Sequence, residues 1–297
     1  MNRAEDAFRA DIVEIGRRMY ARGYVASNDG NISIKLDDAT ILTTPKSVSK
    51  GFMTADMMVV VDLEGKKIRG TRDASSELLM HLEVYKNRPD IRAVVHAHPP
   101  IATGFAVAGI PLDRAVLAEV VTTLGSIPIA EYGTPSTPEL PAAVRKYIKA
   151  HDGLLLANHG ALTIGPDVYA AYYKMETIEH FAKISLVTRQ LGRENLLSRQ
   201  EVHRLQELRG NYGIKAPAPI CADGSQPASN VDQASCQVVE APASRARLVP
   251  TDPADFHPNA VAALGAPDLD GEIRLSYREL TALIEDAVKA LLGGQHG

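Results

Sequence analysis

Phe8, Ile12, Ile15 and Met19 recur at helical intervals and Gly23 follows as a stop, which predicts an amphipathic helix at the start of the chain. The pattern then shifts to short runs rich in Ile, Val and Thr at 31–36, 41–44 and 58–62. Asp37-Asp38, Pro45 and Glu64-Gly65 separate them, so they read as strands joined by turns. Further on the spacing predicts a helix over 75–87, a buried strand over 93–96, a helix over 138–150, a strand over 154–157 and a long helix over 168–191. Strands cluster and helices flank them instead of alternating strictly. That order predicts an α/β fold with a central antiparallel or mixed sheet between helical layers, not a doubly wound parallel sheet. There is no internal repeat.

After Tyr212 the periodicity stops. Residues 215–271 hold 13 Ala and 8 Pro among 57 positions, and no period of 2 or 3.6 persists, so the segment reads as a linker between a domain over 1–214 and a terminal helix within 272–297. That helix, over 276–292, has Ser276 as N-cap, Glu279 completing a capping box, Leu275 and Leu280 as a hydrophobic staple, and Gly293 as its stop. Leu280, Leu283, Ile284, Ala287, Val288, Leu291 and Leu292 form its apolar stripe.

Composition narrows the function. The 297 residues are 45% hydrophobic and 23% charged, which excludes disorder throughout. The net charge of −4 and the lack of any block of like charges argue against a nucleic-acid or anionic-membrane surface. Cys221 and Cys236 are the two cysteines, so any metal has to sit on His, Asp or Glu. No apolar run reaches membrane-spanning length and the first residues lack a signal-peptide pattern, which gives the cytoplasm as the expected location.

His96 and His98 end an apolar strand in VVHAHPP, and strand period two points both imidazoles to one side. His159 closes a second apolar run in LLLANHG. Three neutral imidazoles leave a tetrahedral zinc ion one open position for substrate or water. Glu77, in DASSE at a helix start, is the acid nearest in pattern, and desolvation would raise its pKa towards neutrality for proton transfer. Taken alone it reads as a carboxylate favoured by the helix dipole. His81, four residues on, shares its helix face and is a rival metal ligand.

The ordered motifs SNDGNIS (27–33), TTPKSVSKGFM (43–53), SSE (75–77), HAHPP (96–100), NHG (158–160) and NYGI (211–214) resemble the class II aldolase/adducin family, most closely its L-fuculose-phosphate aldolase branch. The resemblance spans roughly residues 5–214. It implies an antiparallel sheet between helical layers, a homotetramer with sites at subunit interfaces, and one Zn2+ per subunit on His96, His98 and His159. Glu77 matches the acid/base carboxylate. Asn31, Ser75 and Ser76 match positions that hold the substrate phosphate, and Tyr212 matches a C-terminal tyrosine that reaches the site.

Two departures stand out. Lys46-Ser47 replaces a Ser/Thr-Gly turn at the phosphate site, adding a cation and removing the glycine. Leu117 occupies the place of a neighbouring subunit's proton-donating tyrosine, leaving Glu119, Tyr132 or Tyr212 to substitute.

The implied reaction is zinc-dependent cleavage of a phosphorylated sugar, L-fuculose 1-phosphate or L-rhamnulose 1-phosphate, to dihydroxyacetone phosphate and lactaldehyde. A sugar-phosphate 4-epimerase and a zinc-dependent dehydratase or decarboxylase are the alternatives. Retention of all three histidines with Glu77 argues against a non-catalytic, adducin-like interaction module. The linker and terminal helix resemble encapsulation peptides, which implies docking of 276–292 on a shell protein and a place in the lumen of a bacterial microcompartment.

Overall fold

The periodic apolar residues at the start of the chain do form a helix, α1 (Arg3–Ala21), and Ile12, Ile15 and Met19 on it are fully buried. The structure, a computed structural model, describes residues 3–211 together with Ile214 and Ile220. Tyr212, the rest of the expected linker and the expected terminal helix lie outside the described residues.

The three early runs become β1 (Asn31–Lys35), β2 (Thr40–Thr43) and β3 (Val59–Asp62), with β4 (Lys67–Arg69) after the Glu64-Gly65 turn. Next come α2 (Leu78–Asn87), β5 (Ala93–Ala97), α3 (Pro100–Ala108), α4 (Ala118–Thr123), β6 (Ile129–Ala130) and α5 (Glu139–Arg145). The chain continues through β7 (Gly153–Leu156), β8 (Gly160–Gly165), α6 (Val168–Gln190) and α7 (Arg199–Asn211). The strands form one eight-stranded sheet in the order β4-β3-β2-β1-β5-β8-β7-β6. Every pairing is antiparallel except β6 with β7, so the sheet is mixed and largely antiparallel, as the clustering of strands predicts.

Helices cover both faces, and alternate residues of the central strands divide between two cores. Ile32, Ile34, Ala93, Val95 and Ala97 pack with Ile12, Met175, Ile178 and Phe181 of α1 and α6. Val94, Leu154, Leu156, Leu162 and Ile164 pack with Leu82, Tyr85, Val144 and Tyr147 on the side of α2 and α5. Burial on two sides explains why β7 reads Gly-Leu-Leu-Leu without alternation. Each fully buried Leu or Ile contributes roughly 1.5–3 kcal/mol. The face shared with α2 is the one that Asn31, Ser33 and His96 occupy.

Several boundaries differ from expectation. α2 begins at Leu78, three residues later than expected, with Glu77 at its N-cap, because residues 73–75 are engaged by the 44–46 loop: Ser75 N–H donates to Thr44 O and Lys46 N–H to Asp73 O. α5 is shorter than 138–150 and gives way to turns. α3, α4, α7, β4, β6 and β8 were not expected. α3 starts at the second of two prolines and takes its cap from another element: the Glu179 carboxylate of α6 accepts from Ile101 N–H at 3.1 Å and Ala102 N–H at 2.8 Å.

Candidate metal centre and anion pocket

The sheet order brings distant segments to one end of its central strands. Asn31 opens β1 directly opposite His96 near the end of β5, and His96 pairs in turn with Leu162 of β8. His98 follows two residues on, where its N–H donates to Tyr24 O. His159 sits in the tight turn between β7 and β8. Asn158 takes a left-handed φ of +54° there, which an asparagine tolerates. Gly160 is needed for space: a Cβ would come within 2.5 Å of Ala97 O and 2.6 Å of His98 Cδ2. The NHG motif thus combines a turn residue, a ligand and a gap that admits the other rings.

The three imidazoles form a triangle with ring centroids 4.8, 4.9 and 5.0 Å apart. One ligand atom from each lies within 4.8 Å of the others, and this is the metal-competent cluster among the described residues. His96 Nδ1 donates to Ala161 O at 2.9 Å, so its Nε2 carries a lone pair. His98 Nδ1 faces the acceptor-only Asp29 carboxylate at 3.4 Å, so its Nε2 does too. These two Nε2 atoms are 3.1 Å apart. Convergent lone pairs repel unless a cation lies between them, and the outer partners match the carbonyl and carboxylate that orient metal-binding histidines. The donor set fits Zn2+. His81 is not part of it: it is fully buried and its Nδ1 lies 2.7 Å from Ser33 Oγ.

Glu77 faces the same point. Its Oε1 lies 2.9 Å from His159 Nε2 and its Oε2 3.5 Å from His96 Nε2, while Asn31 Nδ2 donates to Oε2 at 2.8 Å. Burial pushes the carboxyl up, but His96, the His159 hydrogen bond and His98 outweigh it and hold it well below the usual carboxylate range. The expected rise towards neutrality is therefore reversed. Burial lowers the His96 and His98 imidazoles, with the neighbouring rings adding to the effect, so both stay neutral donors.

Beside Glu77 and His98 lies a pocket of about 200 Å³ whose lining includes Asp29, Lys46, Ser47, Lys50, Ser75 and Ser76. It gathers four of the five residues matched to phosphate or its turn. Asn31, the fifth, is 1% exposed and is held on Glu77. Ser47 keeps a glycine-like φ of +57°, so the turn survives the loss of its glycine.

Lys50 was missed by sequence reasoning. It is 2% exposed, its Nζ donates to Asn28 O and Val48 O at 2.8 Å each, and burial brings its pKa down to about 8 against Asp29 and Glu77. Nothing in the SKG tripeptide reveals that burial.

A larger cavity of about 840 Å³ lies elsewhere, lined by Leu117 and Glu119 with Tyr173, Glu176 and Lys183 of α6. Of the candidate proton donors, Glu119 lines that cavity and Tyr132 is 59% exposed.

The sequence that builds this fold also matches a known family. Residues 10–186, more than half of the chain, match the Class II Aldolase and Adducin N-terminal domain, and the chain belongs to that family. It is 32% identical over 188 residues to a 3-oxo-tetronate 4-phosphate decarboxylase of Pectobacterium atrosepticum, covering 62% of this chain and 86% of the relative. It is 35% identical over 181 residues to an L-fuculose phosphate aldolase of Methanococcus maripaludis, covering 61% and 97%. The crystal structure of YgbL from Klebsiella pneumoniae, described as an aldolase/epimerase/decarboxylase, superposes with a TM-score of 0.64 at 29% identity, over 68% of this chain and 98% of that one.

Proposed function

We propose that this chain is a zinc-dependent aldolase that cleaves a ketose 1-phosphate of the L-fuculose or L-rhamnulose type to dihydroxyacetone phosphate and lactaldehyde. The observation that carries the reading is the convergence of three imidazole Nε2 atoms and the Glu77 carboxylate beside a pocket lined with serines and lysines. His96, His98 and His159 would hold one Zn2+ per subunit, supplying a Lewis acid for the carbonyl and hydroxyl oxygens.

The chain's own groups do the rest. Ser75, Ser76, Lys46, Ser47 and Lys50 hold the phosphate in the pocket, with Asn31 acting through Glu77. Glu77, ionised at rest, takes the C3 proton of dihydroxyacetone phosphate in the condensation direction; in cleavage it takes up a proton from solvent and gives it to the enediolate carbon. The alkoxide proton is handled by a second group, for which Glu119, Tyr132 and Tyr212 are the candidates, supplied across a homotetramer interface. We place 276–292 on a microcompartment shell protein and the enzyme in that lumen.

The similarity to a 3-oxo-tetronate 4-phosphate decarboxylase favours a second reading. There the bond to a carboxylate breaks, carbon dioxide leaves, and Glu77 takes up a proton from solvent and gives it to the carbon that keeps the electron pair.

The test is the purified zinc-loaded protein with L-fuculose 1-phosphate, L-rhamnulose 1-phosphate and 3-oxo-tetronate 4-phosphate, scored for dihydroxyacetone phosphate, lactaldehyde and carbon dioxide. Triose phosphate from either ketose establishes the aldolase, and carbon dioxide alone establishes the decarboxylase. In either case Glu77→Gln is expected to keep its zinc and lose turnover by about a hundredfold or more. Near-normal turnover would return Glu77 to a helix-capping role.

A further inference from the structure

Lys50 joins two parts of the site that are apart in sequence. Its main chain lies on α1, where Gly16 makes room for it: a Cβ at Gly16 would come within 2.7 Å of Lys50 O. The side chain is buried, and its Nζ donates to Asn28 O and to Val48 O, each at 2.8 Å. Val48 continues the turn that carries Lys46 and Ser47 in the wall of the anion pocket. Asn28 precedes Asp29, and both belong to another part of that wall.

The Asn28–Asp29 peptide is held at both ends. Its carbonyl accepts from Lys50 Nζ, and its N–H donates to Ala26 O at 2.9 Å. The Asp29 carboxylate beyond it is half-buried and faces His98 Nδ1 at 3.4 Å. A carboxylate there orients the imidazole and makes its Nε2 a stronger metal donor. It has no other hydrogen bond or ion pair among the described residues, so its place depends on the peptide that carries it.

Lys50 also has a proton to spare. An ammonium has three N–H donors, and two of them are taken here. Asp29 and Glu77 act on it through space, without an ion pair, and it lines the pocket of about 200 Å³. A buried charge in this state gains from an anion that meets the third N–H. Such an anion also holds the ammonium where it binds Asn28 O.

We propose that Lys50 is a positioning residue that links anion binding to metal binding: an anion in the pocket takes the third N–H, fixes the ammonium on Asn28 O, and through the Asn28–Asp29 peptide keeps the Asp29 carboxylate on His98. Filling the pocket then tightens the hold of the three imidazoles on zinc, and zinc tightens the pocket on the anion by the same factor. The inference rests on the reading above, with zinc on the histidines and phosphate in the pocket, but it is measured by binding, without turnover.

The experiment titrates the full-length protein at pH 7 with zinc against a chromophoric chelator, with and without inorganic phosphate. The chelator keeps free zinc too low to precipitate phosphate, and calorimetry on each protein sets the phosphate concentration that fills its pocket. Phosphate is expected to strengthen wild-type zinc binding about fivefold or more. Asp29→Ala is expected to weaken zinc binding about tenfold and to abolish the phosphate effect while phosphate still binds. Direct attraction between the anion and zinc would persist in that variant, so a persisting effect would overturn the proposal. Lys50→Met separates the link from simple charge by sign. Removing a nearby cation by itself strengthens zinc binding, whereas loss of the clasp is expected to weaken it towards the Asp29→Ala value, with no further weakening in an Asp29→Ala background. Unchanged or tighter zinc binding in Lys50→Met would overturn the proposal. A wild type that binds zinc and phosphate without linkage would overturn this inference alone, and failure to bind either of them would overturn the reading beneath it as well.

Discussion

Ser47 holds a left-handed φ of +57° in a turn whose sequence gives no glycine. For a residue with a Cβ this region costs about 1–2 kcal/mol, so Ser47→Gly is expected to raise stability by about 0.5–1 kcal/mol after the extra freedom it gives the unfolded chain. Urea midpoints of the two proteins measure this, and no gain would mean that the hydroxyl compensates the strain. Lys50 is the second residue with a measurable signature. Its pKa of about 8 lies below that of a free lysine, so the ammonium is charged below pH 8 and loses its charge as pH rises through that value. Asp29 and Glu77 oppose that loss and Lys46 shares the pocket, yet burial dominates. Inorganic phosphate, mostly dianionic over this range, should therefore bind progressively more weakly from about pH 7.5 to 9, and Lys50→Met should remove that dependence while lowering affinity at all pH. A flat profile for the wild type, read by calorimetry, would take Lys50 out of anion binding. At this scale the ligands were legible because period two and adjoining strand ends fix where His96, His98 and His159 point. Lys50 and the lowered Glu77 carboxyl were not, because burial and neighbouring charge are properties of the assembled site.

Among the elements, those with a long unbroken period were legible. On α6, Val168, Ala171, Tyr172, Met175, Ile178, Phe181, Ala182 and Ser185 make one buried stripe, and the chain pattern over 168–191 already shows it. β8 was missed because glycine stands at both ends, and because Thr163, the polar residue within it, is bonded to Ala171 O instead of facing water. α7 was missed because only Val202 and Arg209 on it are buried. α3 was missed for a third reason: its N-terminal cap is a side chain about 80 residues away in sequence, and two prolines precede its first free N–H. Glu179→Ala should then cost about 1–2 kcal/mol, the size of a lost cap. Because α3 begins two residues after His98, the variant should also bind zinc more weakly, which a competitive zinc titration against a chromophoric chelator would detect. Lower stability with unchanged zinc affinity would show that α3 and the histidine triangle are mechanically independent.

For the whole molecule, the site is a product of sheet order. β1, β5 and β8 must be neighbours before Asn31, His96 and His159 can meet, and the turn of α2 must abut β1 before Glu77 can join them. That region is contained within residues 10–186, where the family match ends, whereas the apolar stripe at 276–292 lies outside the described residues. A helix of about 17 residues is marginal alone in water, so the helix expected there, if formed, would call for a partner surface. Anionic lipid is the weakest of the candidates, since Glu279, Glu285 and Asp286 oppose Arg278 and Lys289 on the polar face. The proposed shell docking rests on the linker expected from the sequence of 215–271 and on the release of a reactive aldehyde proposed for the enzyme. Removing residues 272–297 is therefore expected to leave zinc content, turnover and subunit assembly unchanged while abolishing co-purification with shell proteins, and the segment fused to a fluorescent reporter should carry it into the shell. A truncation that disrupts assembly or turnover, checked by sedimentation and by the ketose 1-phosphate assay, would instead place the helix on its own enzyme.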